Sequence, residues 1–373
     1  MIFKDLITEE NPDYLTKQLI TYIGNKRALL DFIGLGLNHV KKKLGREKLH
    51  IFELFSGSGI VSRYLKQYSD KLIVNDLEDY SRVINNCYLR NRSDINEKLL
   101  TEIFKELRYK ITNNPVSDGF IKELYAPRSD KNISHGERVF YTNRNAAYLD
   151  SARYHLAGVV PEFRDYLLAP LLSEASIHAN TAGVFKGFYK NKESGLGQFG
   201  GNNRDALLRI LGNIELKYPI FSSYECEVEV LQGDSNTIAP LVSHVDVAYL
   251  DPPYNQHPYG SNYFMLNLLV NYKRPGEISP VSGIPVDWNR SSFNRRREAY
   301  SNFKDLTQKI DAKYLLVSFN SEGYIKLDEM VELLEGEGKV EVLETKYNAF
   351  RGSRNLKARD IHVKEYLYLV EKR

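Results

Sequence analysis

Short apolar runs alternate with stretches of helical spacing in the first quarter of the chain. The run Leu49 to Phe55 (LHIFELF) leads into glycines, which predicts a buried strand followed by a tight turn. Ile60 to Tyr68 has helical spacing, Lys71 to Asn75 (KLIVN) predicts a second strand, and Tyr80 to Arg92 predicts a second helix. This order of elements is typical of the opening of a doubly wound parallel sheet.

The α/β pattern stops after the second predicted helix and returns at Glu227. Between about 95 and 225 the chain is polar, aromatic and rich in loops, with helical spacing at Ala146 to Val159 and at Arg204 to Ile214. Further strands are predicted at Glu227 to Leu231, Val245 to Leu250, Tyr314 to Phe319, Val340 to Lys346 and Val363 to Val370, and the last two are able to pair as a hairpin.

These patterns predict an α/β fold in which a mainly helical insertion interrupts one doubly wound, Rossmann-like sheet that ends in a C-terminal β-hairpin. We expect residues 1–94 and 226–373 to form one domain in two parts, and residues 95–225 to form an inserted domain. A chain of 373 residues is long enough for both.

Composition excludes several classes of protein. The chain is 42% hydrophobic and 27% charged, as expected of a folded globular protein. No segment approaches the roughly 20 apolar residues of a membrane span, and Met1 to Asn11 lacks the basic start and apolar run of a signal peptide. The lone cysteines, Cys87 and Cys226, favour neither a disulfide framework nor a cysteine-based metal site. We therefore expect a cytoplasmic protein with no membrane partner and no metal.

Basic residues cluster locally, although the net charge is only +3. Three clusters stand out: Lys41 to Lys43, Arg295 to Arg297, and a C-terminal group of Arg351, Arg354, Lys357 and Arg359. Basic loops neutralise phosphates, although most charge runs are solvated faces. The 26 tyrosines, many of them beside Asn and Arg, suit stacking on bases. The distribution of these residues, more than the total charge, is compatible with a nucleic-acid partner.

The strongest local signal is Asp251-Pro252-Pro253-Tyr254, directly after the strand predicted at Val245 to Leu250. Two prolines remove two N–H donors and hold the chain extended, which leaves carbonyl oxygens free to accept hydrogen bonds. A carboxylate, a free carbonyl and an aromatic ring together fit a planar amine, whose two hydrogens Asp251 and the Pro252 carbonyl accept while Tyr254 stacks on the heterocycle. A proline-stiffened turn is the plain alternative, but the strand before it and the glycines upstream favour a site.

A second signal, Phe55-Ser56-Gly57-Ser58-Gly59, ends the first predicted strand. Glycines at a strand-to-helix turn let the backbone approach a ligand and aim the helix N-terminus at it. Asp76 ends the next strand, where an acid commonly binds a ribose diol, and Asp234 follows the third. Any one acid fits a surface or capping role equally well. With Asp251, however, three strand ends carry an acid, and ligands bind at the carboxyl ends of such sheets.

Gly195-Leu196-Gly197-Gln198-Phe199-Gly200 formally matches the dinucleotide pattern GxGxxG. That fingerprint requires an apolar strand immediately before it, whereas Lys190 to Ser194 is polar. We therefore expect a loop of the insertion here and no dinucleotide site.

With these motifs in this order, the sequence resembles the alpha group of DNA adenine N6-methyltransferases over roughly residues 15 to 92 and 228 to 370. The segment Tyr22-Ile23-Gly24-Asn25-Lys26-Arg27 resembles the family's N-terminal element, so the resemblance implies that Tyr22, Gly24 and Lys26 contact the methionine part of the cofactor. Phe55, Gly57 and Gly59 match the family's Phe-x-Gly-x-Gly turn, and Glu53 stands where the family usually has Asp. By the same resemblance Asp76 is the ribose-binding acid, Asp234 the acid near the cofactor adenine, and Asp251 to Tyr254 the catalytic tetrad.

The resemblance implies a Rossmann-like methyltransferase sheet, S-adenosylmethionine as cofactor, and methylation of the N6 amino group of adenine in double-stranded DNA. It implies that the base is flipped out of the duplex, and that the enzyme either belongs to a restriction-modification system with a cognate endonuclease or is an orphan methylase. We expect a monomer. Residues 1–94 then bind cofactor, 226–373 carry the tetrad, and 95–225 form the target-recognition domain.

Candidate residues for the target base and for DNA follow from the same hypothesis. Tyr259, Asn262, Tyr263 and Phe264 come after the tetrad and are candidate walls of the base pocket, although Phe264 fits the hydrophobic core equally well. The candidate DNA contacts are Arg144, Asn145, Lys186, Lys190, Lys192, Arg204, Arg295 and Arg296.

Two other functions remain open at this point. An RNA adenine N6-methyltransferase uses a related tetrad, but the long insertion favours DNA because reading a duplex needs a substantial surface. A catalytically silent nucleic-acid-binding partner subunit would keep the same fold, but the intact Phe55-to-Gly59 turn and Asp251-to-Tyr254 tetrad argue against it. The resemblance also disfavours cytosine N4 methylation, since Asp rather than Ser precedes Pro252.

Overall fold

The computed structural model describes residues 10–348 and 362–373. Within these residues the strands are β1 (Leu49–Glu53), β2 (Ser69–Asp76), β3 (Glu227–Gln232), β4 (Val245–Leu250), β5 (Ala312–Asn320), β6 (Gly338–Asn348) and β7 (His362–Lys372). They form one sheet in the order β3-β2-β1-β4-β5-β7-β6. Neighbours from β3 to β5 pair in parallel, whereas β7 is antiparallel to both β5 and β6. The sheet confirms the predicted α/β fold and the pairing of its two last strands. The basic cluster Arg351, Arg354, Lys357 and Arg359 lies outside the described residues.

Helices cover both faces of the sheet. They are α1 (Pro12–Thr16), α2 (Leu30–Leu44), α3 (Ile60–Leu65), α4 (Asp79–Tyr88), α5 (Glu97–Asn113), α6 (Phe120–Tyr125), α7 (Asn143–Leu156), α8 (Pro161–Ile177), α9 (Leu207–Leu211), α10 (Ser235–Ile238), α11 (Tyr259–Asn262), α12 (Phe264–Asn271), α13 (Ala299–Lys309) and α14 (Leu327–Glu335). Short 3₁₀ turns lie at Arg27–Leu29, Lys66–Tyr68, Arg92–Asp94, Ala239–Leu241 and Ser292–Asn294.

Alternation along the strands divides the core into two layers. In β2, Leu72 and Val74 point into one hydrophobic cluster, while Ile73 between them points into the other. The first cluster contains residues of α2, α3, α4, α8 and α12, and the second contains residues of α13 and α14. All six residues of β4 are buried, because a parallel strand in a sheet covered on both faces has no solvent side.

The segment 95–225 is described throughout and carries helices α5 to α9 and no strand. Helices α5 to α8 share the first hydrophobic cluster with the sheet, and α8 packs directly against α4 and α12. The predicted helix at Arg204 to Ile214 was wrong in length, because only Leu207–Leu211 is helical. Arg204 and Ala206 have positive φ angles (52° and 51°), which a right-handed helix does not accommodate.

The order of the strands places a crevice at the carboxyl ends of β1 and β4. From β1 the chain winds outward through β2 to β3, whereas β4 and β5 lie on the other side of β1. In doubly wound sheets, ligands bind where this direction reverses. Among the described helices, none combines the length and apolar character needed to cross a membrane.

Candidate active site

A cleft with an empty volume of ≈ 820 Å³ opens at the carboxyl ends of β1 to β4. Eleven of the residues given a role from the sequence line it: Tyr22, Gly24, Lys26, Glu53, Phe55, Gly57, Asp76, Asp234, Asp251, Pro253 and Tyr259. Residues without a predicted role also contribute, among them Asn25, Glu78, Asn289, Ser291 and Asn294. The acidic side chains in the lining outnumber the basic ones, which gives the cleft a field that favours a cationic ligand.

The glycine turn after β1 has a backbone that a side chain would not fit. Gly57 has a φ of +50°, and a Cβ added to it would lie 2.9 Å from the ring of Tyr22. Its N–H donates to Oδ2 of Asp76 at 2.7 Å. Gly59, with a φ of +72°, precedes the first residue of α3, and a Cβ there would meet the side chain of Asn85 at 2.9 Å. The backbone therefore lies against the cleft at Gly57, with no side chain between.

Asp76 and Glu78 lie together at the carboxyl end of β2. Oδ1 of Asp76 accepts a hydrogen bond from the N–H of Glu78 at 2.9 Å, and burial raises the pKa of Asp76 to about 6. Oε2 of Glu78 accepts hydrogen bonds from the side-chain amides of Asn267 (2.6 Å) and Asn289 (3.1 Å). Burial, reinforced by the charge of Asp76, raises the pKa of Glu78 to about 8. Sequence reasoning missed Glu78, for which the acidic run 76–79 was the available signal.

Two further acids contact their own local elements. Glu53, the last residue of β1, is 1% exposed and accepts a hydrogen bond from Oγ of Ser62 at 2.6 Å. Burial raises the pKa of Glu53 to about 8. Asp234 caps α10 by accepting from the N–H of Asn236 at 3.0 Å. The capping role considered from the sequence therefore coexists with a place in the cleft lining.

A stack of tyrosines holds the N-terminal segment over the cleft. The ring of Tyr22 stacks on Tyr259 and Tyr263, with centroids 5.0 and 4.8 Å away. The hydroxyl of Tyr263 accepts from the N–H of Ile23 (2.7 Å), and that of Tyr259 donates to the Ile23 carbonyl (3.2 Å). Gly24 has a φ of +74°, and a Cβ there would lie 3.2 Å from the Tyr259 hydroxyl. Helix α11 and Tyr263, the residue between α11 and α12, thus position Tyr22 and Gly24.

The tetrad follows β4, and its acid is joined to a buried lysine. Nζ of Lys26 lies 3.3 Å from Oδ1 of Asp251 and 3.4 Å from Oε2 of Glu365. Burial raises the pKa of Asp251 to about 6, with Lys26 opposing and Glu365 adding to the rise. Burial disfavours the charge on Lys26, but the two carboxylates outweigh it and hold the lysine pKa well above its usual range. Glu365 was not predicted, since a single acid between Lys364 and the apolar run from Tyr366 to Val370 gives no motif.

The rest of the tetrad lies beside Asp251. Pro252 is buried, and the ring of Tyr254 packs edge-on against Phe319 with 5.6 Å between centroids. Of the candidate walls of the base pocket, Tyr259 lines the cleft. Tyr263, Phe264 and Asn262 are buried instead: the first two belong to the main hydrophobic cluster, and the carbonyl of Asn262 accepts from the N–H of Phe185.

Most candidate DNA contacts are exposed, but one is not. The exposed side chains are Arg144, Lys186, Lys190, Lys192, Arg204, Arg295 and Arg296. Asn145 is 1% exposed, and its side chain donates to the Gly212 carbonyl (2.8 Å) and accepts from the N–H of Ile214 (3.1 Å). The prediction for Asn145 therefore does not fit the structure, because these bonds fix the chain after α9 and leave no face for DNA.

Comparison with known proteins supports the assignment. The model of the D12 class of N6 adenine-specific DNA methyltransferases matches residues 22–333, from the N-terminal element through the tetrad. The chain is 28% identical over 364 residues to the Type II methyltransferase M.NlaIII of Neisseria lactamica, covering 95% of this chain and 99% of that protein. It is 30% identical over 357 residues to the Type II methyltransferase M.CviAII of Paramecium bursaria Chlorella virus 1, covering 94% and 98%. The cleft, the tetrad and these matches agree, and the chain belongs to the D12 class of N6 adenine-specific DNA methyltransferases.

Proposed function

We propose that in this N6 adenine-specific DNA methyltransferase Asp251, Pro252 and Tyr254 receive the target adenine. The observation that carries the proposal is that Asp251 faces the same cleft as the glycine turn and the acids Asp76 and Asp234. A carboxylate for the target amine and the residues for a nucleoside-bearing cofactor thus meet at one edge of the sheet.

S-adenosylmethionine is the cofactor of the family, and the lining of the cleft fits it. The cofactor is cationic at its sulfonium and amino groups, which suits a lining richer in carboxylates than in basic residues. Gly57 leaves no room for a Cβ, as a close approach to the backbone requires. We assign Tyr22, Gly24, Lys26 and Glu53 to the methionine end, Phe55, Gly57, Gly59 and Asp76 to the ribose, and Asp234 to the adenine. When bound, the cofactor supplies the methyl group for transfer.

The tetrad acts on the amine by accepting hydrogen bonds. An amino group on an aromatic ring is a poor nucleophile, because its lone pair is delocalised into the ring. Asp251 and the Pro252 carbonyl accept the two amine hydrogens, which favours a pyramidal nitrogen with a directed lone pair. Oδ1 of Asp251 is buried and lies 3.3 Å from Nζ of Lys26, so the lysine holds the carboxylate in place. Positioning and electrostatics therefore supply most of the acceleration, and Asp251 need not be a strong base.

The target base has to leave the helix to reach this cleft. Unpairing and unstacking a nucleotide costs a few kcal/mol, and stacking on the Tyr254 ring offsets part of that cost. Tyr254 is braced for this role by Phe319 behind it. A flipped adenine between Tyr254 and Asp251 is the arrangement that the side chains support.

The segment 95–225 is proposed to recognise the DNA sequence. Support comes from its contact with helix α11, which carries the cleft residue Tyr259: the N–H of Phe185 donates to the carbonyl of Asn262 at 2.7 Å. Lys186, the next residue, lies near His257 in the loop that follows the tetrad. Burial, together with the charge of Lys186, lowers the pKa of His257. Lys186, an exposed cation of the insertion, therefore lies near the loop that follows the tetrad.

The relatives also suggest a biological setting. M.NlaIII and M.CviAII are named as type II methyltransferases, and both align with this chain over nearly their whole length. These names support a role in a type II restriction-modification system. We further propose that the enzyme is a cytoplasmic monomer and has a cognate endonuclease.

Expression in a host free of adenine methylation tests the proposal. We expect plasmid DNA from that host to carry N6-methyladenine at one short sequence, found by sequencing that detects modified bases. The same extract supplies ribosomal RNA as the alternative substrate. Methylated RNA with unmodified plasmid DNA, from a folded protein that binds cofactor, would contradict the proposed function.

A further inference from the structure

Lys26 is shared between two carboxylates, and only one of them belongs to the tetrad. Its Nζ lies 3.3 Å from Asp251 and 3.4 Å from Glu365, and the side chains of Lys26 and Glu365 are each 3% exposed. Glu365 lies near the start of β7, paired with Asn320 of β5 and Thr345 of β6. We propose that Glu365 is a positioning residue for methyl transfer, which holds Lys26 beside Asp251 and thereby orients the carboxylate that accepts the target amine. This inference rests on the proposed role of Asp251.

The nearly equal distances indicate what Glu365 contributes. The ammonium group of Lys26 has three N–H donors. Without Glu365, Asp251 would be its single anionic partner, and the lysine would compete with the amine of adenine for the carboxylate oxygens. Glu365 draws the ammonium to a point between the two carboxylates, so that Asp251 keeps acceptor capacity on the side of the cleft. A buried carboxylate next to a buried lysine is costly unless each is paired, and this pairing locks the geometry of all three side chains.

The same lysine also reaches the aromatic member of the tetrad. Its Nζ lies 5.4 Å from the centroid of the Tyr254 ring, within the range of a cation–π contact. Glu365 therefore acts, through Lys26, on both the hydrogen-bonding and the stacking side of the target site. Sequence position alone gives no hint of this, since 339 residues separate Lys26 from Glu365.

Several other titratable groups face the lysine and Asp251 and belong to any account of their pH dependence. They are Glu53 of β1, Tyr249 of β4, Tyr254 of the tetrad and Tyr259 of α11. Burial holds the pKa values of Tyr249 and Tyr259 well above their usual range, so these tyrosines stay neutral over the pH range of an assay. Among the charges, Glu365 is the one that raises the pKa of Asp251.

The test compares Glu365→Gln, which keeps the shape and removes the charge, with Glu371→Gln at an exposed position of the same strand. We expect Glu365→Gln to slow single-turnover methylation of duplex DNA on the order of 10- to 100-fold, since small misplacements at a reacting centre have effects of this size. Affinity for S-adenosylhomocysteine by calorimetry should stay within about threefold, because Glu365 does not line the cleft and Lys26, which it holds, is one of four residues assigned to the methionine end of the cofactor. The acid limb of the pH profile should move to lower pH, while Glu371→Gln should match the wild type in all three measurements.

A double-mutant cycle separates positioning through Lys26 from a general structural effect. In a Lys26→Met background, Glu365→Gln should cause little further loss of rate, because the group through which it acts is gone. An equal loss in both backgrounds, or a Glu365→Gln enzyme with wild-type rate and pH profile, would overturn the inference. Asp251→Ala in the same assay separates a failure of the Glu365 proposal from a failure of the proposed function. Full activity of Asp251→Ala would mean that the proposed role of Asp251 itself is wrong.

Discussion

The backbone N–H of Gly57 donates a hydrogen bond to Oδ2 of Asp76, with 2.7 Å between the two atoms. The two residues are 19 positions apart in the chain and meet because β1 and β2 pair in parallel, with their carboxyl ends side by side. Asp76 therefore orders the glycine turn at the same time as it faces the cleft.

Gly57→Ala is expected to weaken cofactor binding by about tenfold or more. The alanine Cβ would lie 2.9 Å from the Tyr22 ring, and a φ of +50° is unfavourable for any residue with a Cβ by about 1 kcal/mol. Isothermal calorimetry with S-adenosylmethionine measures the change. Gly45→Ala is the matched control, because Gly45 also has a positive φ (+61°) but no atom would lie within 4 Å of the new Cβ. It should lower stability without changing cofactor affinity, and equal affinity losses in both variants would contradict the prediction.

Asp76→Ala should also weaken the cofactor, by about 1.5–3 kcal/mol, the usual contribution of a hydrogen bond to a charged group. The loss has two sources, since the variant removes the ribose acceptor and the acceptor for the Gly57 N–H. Asp76→Asn should retain more affinity than Asp76→Ala, because the amide oxygen still accepts from the turn. Calorimetry that finds Asp76→Ala unchanged would remove Asp76 from the cofactor site.

Asp251→Ala should abolish methyl transfer while leaving cofactor binding largely intact. The carboxylate is assigned to the target amine, whereas the turn and Asp76 are assigned to the cofactor. Asp246→Asn is the control. Asp246 lies near the amino end of β4, away from the cleft, and its buried carboxylate binds Arg46 and Lys313. It should lower the melting temperature and leave turnover on duplex DNA near the wild-type rate. Full turnover by Asp251→Ala would disprove the proposed mechanism.

The pH dependence of kcat/KM for DNA should report Asp251. Burial raises its pKa to about 6, so the carboxylate is charged above that pH and becomes protonated as the pH falls through it. A protonated Asp251 accepts the amine hydrogen poorly, and activity at saturating cofactor should therefore fall by about tenfold per pH unit below about 6. Burial also raises the pKa of Asp76 to about 6. Saturating cofactor occupies the site of Asp76 and so removes its titration from the measured pH profile. A rate that stays level down to about pH 4.5 would contradict this reading of Asp251.

Exchange of residues 95–225 with the corresponding segment of a relative that has a different specificity should transfer the recognition sequence. The exposed candidates there are Arg144, Lys186, Lys190, Lys192 and Arg204. For each of them we expect a contact with a phosphate rather than with a base edge. Because α8 packs on α4 and α12, the chimera has to keep the α8 surface of the recipient. Sequencing of methylated plasmid gives the specificity. A folded, active chimera that kept the original site would move recognition elsewhere, to the basic stretch from Arg274 to Arg297.

The elements that the sequence predicted well are those whose signal is local. Val245 to Leu250 was predicted as a strand and is one. A short, nearly continuous apolar run is typical of a parallel strand that is covered on both faces, and all six residues are buried. The glycine turn and the tetrad could be identified from the sequence because the residues of each motif are adjacent in the chain. The long helix α2 was missed, and so was the early end of the helix predicted at Arg204 to Ile214, which depends on backbone angles that composition does not reveal.

The sequence by itself therefore determined the succession of the strands along the chain, the acids at the ends of β2, β3 and β4, and the motif Asp251 to Tyr254. Only the tertiary structure decided which groups those acids face. Glu365 reaches Lys26 across 339 residues, Glu78 meets Asn267 across 189, and Asn145 turns from a candidate DNA contact into a buried bridge to Gly212 and Ile214. The physical reason is that strand and turn formation depend on neighbours in the chain, whereas the pairing of a buried charge or amide depends on whichever distant segment the fold brings against it.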